Sequence, residues 1–297
     1  MTAAERLIEE YKRGDLNDLT SQRGEPTSSG PRDEALTHNG VPPINPNRDR
    51  GSRKHILDLV SSRNFVSTVN RLFSDTDIRL AEPSYPRPYG RATPADWREY
   101  EIEEYMRALP FPENKTLDLK WWFPNKTGLN RRPTWDLLCQ LDVGGRPGLL
   151  LVEAKAHVRE MLEQDKKRDP TLSDESKAND RQIKSNIMRT NKVLSDLGAG
   201  RFLLSADNHY QLANRIAYLC KLANDGIPVV LLYLGWLNSP AWPRDCFRDQ
   251  AHWQQVMHKY MAGVVPASFP ERLFKFHDRG SMQMLIRSAD ARMAHAN

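Results

Sequence analysis

Asp136, Glu153 and Lys155 are the residues whose types and spacing could do chemistry. Glu153 and Lys155 fall within GLLLVEAKAH, an otherwise apolar run over 148–157. Alternate residues of a strand share a face, so Leu149, Leu151, Glu153 and Lys155 lie together. Leu150, Val152, Ala154 and Ala156 take the other face. Both faces begin apolar, the mark of a central strand, but only one turns charged, toward the C-terminal end. Burying a carboxylate and an ammonium is costly unless each is paired or bound to a metal. A plain Glu–Lys pair meets that need, and Glu-x-Lys alone is a weak motif.

A preceding run, TWDLLCQLDV (134–143), supplies a third member through a hairpin whose turn signal is GGRPG. With Gly144–Pro147 as the loop, Val143 faces Gly148, so Asp136 is expected opposite Lys155 and diagonal to Glu153. Directly opposite side chains stand about 5 Å apart and diagonal ones about 7–8 Å. One cation could then bridge both carboxylates. A hairpin longer by one residue would turn Asp136 to the wrong face. Asp142 falls beside the turn and is read as a turn residue. An ordinary buried ion-pair cluster would account for the same three residues.

The elements that must hold this hairpin are legible from periodicity. HILDLVSSRNFVSTVNRLF (55–73) carries a helical apolar face with a break near Ser61, and AEPSYPRPYGRATP, with four prolines, is a loop. ADWREYEIEEYMRAL (95–109) predicts a helix ended by Pro110. LDLKWWF (117–123) predicts a strand. Two helices follow the hairpin, within 179–198 and 206–226, then the apolar strand IPVVLLYLGWL. The C-terminal part offers a helix around 245–262 and a late strand pair, LFKFH and MQMLIR. Residues 1–14 suit an amphipathic helix, and 15–53 are poor in large apolar side chains, as expected of a linker. The expected domain plan is residues 1–53 as helix plus linker, then a single domain over 54–297. This is an α/β (α+β) pattern with helices on the faces of a sheet.

RRPTWD followed by GLLLVEAKAH resembles the PD-(D/E)xK, or restriction-endonuclease-like, nuclease superfamily. The resemblance covers about residues 95–237, with 238–297 as an extension, and departs in placing Pro133 three positions before Asp136. It implies a central mixed sheet with a site-bearing hairpin, and hydrolysis of phosphodiester bonds in nucleic acid, DNA more than RNA. Asp136 and Glu153 would hold Mg²⁺ or Mn²⁺, which prefer hard oxygen ligands, and Lys155 would orient water or neutralise charge. Superfamily members often add an acidic residue from the preceding helix, here expected to be Glu101. Gln182 resembles the polar residue such nucleases carry on the following helix. Gln211 and Arg215, read as lying opposite the apolar stripe of their helix, and His157, on the face of Lys155, are expected to contact nucleic acid. A catalytically inactive protein of this fold, serving as a nucleic-acid-binding or assembly subunit, is the alternative.

Composition narrows the rest. The chain has 297 residues, a net charge of +5 and 39% hydrophobic content, which fits a globular protein and permits a nucleic-acid partner without demanding one. No apolar run approaches the roughly 20 residues of a membrane helix, and MTAAERLIEEYKRGD lacks a signal core. A cytoplasmic protein, without a membrane partner and with a homodimer or larger assembly open to it, is expected. Cys139, Cys220 and Cys246 fit neither a disulfide framework nor a zinc pattern.

Overall fold

The computed structural model describes residues 50–91, 97–108, 121–122, 133–162, 173–276 and 280–292. The expected N-terminal helix, most of the linker, most of the 117–123 strand and the basic run 126–132 lie outside the described residues. Six strands form one mixed sheet: β1 (Ile78–Leu80), β4 (Leu137–Val143), β5 (Pro147–Lys155), β6 (Pro228–Leu237), β8 (Ser281–Asp290) and β7 (Leu273–Lys275), in that spatial order. β4–β5 is antiparallel, whereas β5–β6 and β6–β8 are parallel. A two-stranded sheet pairs β2 (Tyr100–Glu101) with β3 (Thr134–Trp135).

β5 and β6 read as continuous apolar runs because helices cover both faces. On one face, Leu150, Val152, Val230 and Leu232 pack with Ile56 and Leu59 of α1 (Gly51–Ser61) and Phe65 and Val69 of α2 (Phe65–Arg71). The break between these helices falls where the sequence places it, near Ser61. On the other face, Leu138, Leu149, Leu151 and Leu231 pack with α5 (Asp174–Asp196) and α6 (Tyr210–Asn224). Trp253 of α7 (Gln250–Met261) joins this second layer. The architecture is a mixed α/β sheet flanked by helices.

Three expectations need correction. The 95–109 helix begins only at Ile102, forming α3 (Ile102–Arg107), because Tyr100 and Glu101 pair with Trp135 and Thr134 as strand. The hairpin register is Leu141↔Gly148 and Leu137↔Val152, two residues from the expected pairing. Its turn is tight: Val143 and Arg146 exchange backbone hydrogen bonds across Gly144 and Gly145, both at positive φ. Two such glycines are what a two-residue type I′ turn demands. Finally, the core does not end near residue 237, since β8, within the expected extension, pairs with β6 along ten residues.

Candidate active site

The two-residue slip preserves parity, so Asp136 stays on the face of Glu153 and Lys155. Continued one step past Leu137↔Val152, the register sets Asp136 beside Glu153 rather than Lys155. Asp136 Oδ2 accepts the Ala154 N–H at 2.7 Å, locking the acid to β5 where the ladder ends. Asp142 Oδ1 accepts the Gly145 N–H at 2.8 Å, as suits a turn residue.

Glu153 is 2% exposed and holds a cation on each oxygen. Lys155 Nζ stands 2.6 Å from Oε1, and Arg215 Nε stands 2.7 Å from Oε2. Lys155 also donates to Gln211 Oε1 at 3.1 Å. Arg215 donates to the Thr134 carbonyl at 2.7 Å and lies over the Trp135 ring at 4.2 Å. Strand β5 and helix α6 thus meet through one charge network.

These residues line an open cleft of about 300 Å³, together with Glu99, Ala154, Glu160 and Ser52. It lies at the C-terminal end of β5, where charged side chains emerge from the sheet. Four lining carboxylates face two lining cations, Lys155 and Arg215, a formal charge of −2. Burial, then the neighbouring Glu153 and Glu99 carboxylates, raise the Asp136 pKa well above its ordinary value. Burial also raises Glu160. For Glu153 the burial penalty is outweighed by Lys155 and Arg215, which hold its pKa low. For Lys155 it is outweighed by Glu153 and Asp136, which hold the ammonium charged.

The other expected residues scatter. Glu99, not Glu101, lines the cleft, and Thr134 Oγ1 donates to it. Glu101 instead ends β2 at the N-cap position of α3, where its side chain makes no capping hydrogen bond. Gln182 donates to the Trp121 carbonyl at 2.9 Å, and Asn186 donates to the same oxygen, so both fasten that turn to α5. Arg215 is 5% exposed and spent inside the cluster. It was expected on a solvated side, but α6 is buried almost all round. His157 forms a backbone bridge with Cys246, lies tilted against Trp242 at 4.2 Å and sets Nε2 3.4 Å from Glu160 Oε1, so it meets the cleft only through Glu160. Burial lowers its pKa to about 4, so it is neutral at pH 7.

Glu160 went unrecognised in the sequence because its charged surroundings read as exposed loop. Its signal was its place in the short α4 (Arg159–Leu162) directly after the motif, where Oε2 accepts the Ala156 N–H at 2.8 Å. No family model, no curated protein and no solved structure matches this chain. Among the described residues no helix is long and apolar enough to cross a membrane.

Proposed function

We propose that the protein is a metal-dependent nuclease of the restriction-endonuclease-like fold, cutting phosphodiester bonds of nucleic acid, with DNA favoured over RNA. The observation that carries this reading is Asp136 beside Glu153, on the face of Lys155, in an open cleft with excess negative charge. Asp136, Glu153 and Glu99 offer hard oxygen donors of the kind Mg²⁺ and Mn²⁺ take. The Asp136 pKa, raised by burial and then by the Glu153 and Glu99 carboxylates, fits a place for a compensating cation. A divalent ion there supplies Lewis-acid polarisation of a phosphodiester oxygen and a more acidic water.

The chain's own groups divide the remaining work. Lys155, tethered by Glu153 and Gln211, presents a charged ammonium to neutralise charge that builds on phosphorus. Arg215 fixes the Glu153 carboxylate from behind. Asp136 is fixed by the Ala154 amide and ionises more readily once positive charge is near.

A second reading is an inactive nucleic-acid-binding or assembly subunit of the same fold. It is favoured by Glu153, whose two oxygens already hold cations, and by the scatter of the metal-ligating side-chain types. Among the described residues no three His, Cys, Asp or Glu converge as a metal-holding group. Plasmid and oligonucleotide cleavage with Mg²⁺ or Mn²⁺ separates the two. Asp136→Ala and Lys155→Ala are expected to lose on the order of 10²-fold or more in rate. Equal cutting by all preparations, or cutting by none, discards the enzyme.

A further inference from the structure

A second concavity opens along the β4 edge of the sheet. It is a groove of about 620 Å³ in the proline-rich loop after β1, lined by Glu82, Tyr85, Arg87 and Tyr89 among others. Tyr85 is 36% and Tyr89 50% exposed, and the large exposed hydrophobic residues elsewhere among the described ones are aliphatic. Tyr85 adopts φ 45, uncommon for a bulky residue, and Tyr105 Oη donates to its carbonyl at 2.9 Å. The loop is therefore held with its rings outward.

Arg87 forms the floor. It is 9% exposed, and its guanidinium lies 3.3 Å from the Tyr89 ring centroid and 5.8 Å from that of Tyr100. Its side-chain hydrogen bond goes to the Pro86 carbonyl, and among the described residues it makes no ion pair. Nearby Glu104 is taken by the fork of Arg98. Arg87 thus shares the field of Glu104 without a direct bond to it, and a largely buried guanidinium so placed gains from an anion that meets it. It lies against the exposed Tyr89 ring and the buried Tyr100 ring, and a guanidinium beside an exposed ring suits a phosphate with a base attached.

Position ties this groove to the cleft. Arg87 and Leu138 exchange backbone hydrogen bonds of 2.9 Å, so their side chains share a face. Leu138 lies two residues from Asp136, about 7 Å along the strand. We infer that the Tyr85–Arg87–Tyr89 groove binds an unpaired nucleotide next to the scissile phosphate, its base on the tyrosines and its phosphate on Arg87. The inference rests on the nuclease reading and deepens it, making the favoured substrate a single strand or frayed end. A duplex keeps its bases stacked inside and cannot offer one to the rings.

The test uses the full chain carrying Asp136→Asn, so that nothing is cut, and fluorescein-labelled oligothymidylate against a duplex of equal length. Tyr89→Ala is expected to weaken single-strand binding about tenfold or more and leave duplex binding unchanged. Arg87→Gln should flatten the salt dependence of single-strand binding by about one unit of slope. Thermal melts confirm that each variant is folded, which half-exposed Tyr89 makes safe. Unchanged single-strand binding by both Tyr89→Ala and Tyr85→Ala overturns the inference, as does equal loss on the duplex. Cleavage by the chain with Asp136 intact is scored separately. Strand binding that needs the tyrosines, without any cutting, keeps the groove and sinks the nuclease. Cutting that needs Asp136 but not the tyrosines does the reverse.

Discussion

Arg215 Nε donates to Glu153 Oε2 at 2.7 Å, joining helix α6 to strand β5 through two side chains that are both buried. Removing one member leaves the others as buried charges without compensation. Glu153→Ala, which strands both Lys155 and Arg215, is expected to cost about 3–5 kcal/mol. Arg215→Lys, which cannot reproduce the fork to Thr134, should cost less but still weaken the native state. Urea unfolding of the three proteins gives the ranking, and an unaltered midpoint for Glu153→Ala refutes the network.

Asp136 stands in the opposite electrostatic position. Its folded pKa is raised from 3.8, so the native state binds the extra proton. That contribution is present below 3.8 and is lost as pH rises through the raised folded value. Asp136→Asn keeps an acceptor for the Ala154 amide but loses the charge. It should therefore be as stable as the native chain or more so at pH 7, by about 1 kcal/mol, while cleavage disappears. Melting temperature and activity measured on one preparation check the pairing.

His157 gives the acid-side signature. Its pKa is lowered by burial from 6.5 to about 4, so its contribution is complete above 6.5 and falls away as pH drops toward 4. His157→Phe retains a ring against Trp242 and cannot take up the proton. Its stability should be flatter than the native chain's between pH 6.5 and 5. The residual slope combines His252, whose pKa burial shifts in the same direction, with the raised acids Asp136 and Glu160. Identical slopes for the two proteins would refute the assignment.

Gly235 pairs with Lys155 across β5 and β6, and its missing side chain is filled by the Trp253 ring. A Cβ there would meet ring carbons at 2.5–2.8 Å. Gly235→Ala should destabilise by about 1–3 kcal/mol through overpacking. Gly235→Ala combined with Trp253→Leu should recover part of the loss, readable in denaturant midpoints.

Periodicity made the sheet's centre readable. Alternation placed Glu153 and Lys155 on one face, and the glycine-rich turn joined them to Asp136. Parity protected that inference, since a slip of two residues leaves every side chain on its face. Spacing could not supply the register itself, because GGRPG admits more than one turn length and backbone hydrogen bonding selects Gly144–Gly145. Glu99 was missed in favour of Glu101 because a helical period was assumed where the chain first pairs with β3. Arg215 was read as solvated because a polar residue on a helix usually is. Only the tertiary structure reveals that α6 is enclosed and that Glu153 waits there.

The site-bearing strand β5 rests on β6, and β6 rests on β8, a strand drawn from residues 281–290. Tyr233, the neighbour of Glu153, thus takes its far-side support from Ile286, 133 residues beyond that glutamate. During synthesis, β6 must wait as a bare, sticky border until residues 281–290 have emerged, a state prone to clumping. A chain stopped before Ser281 should scatter light soon after release, whereas the whole chain should not. Competence to act would then wait on the arrival of that strand.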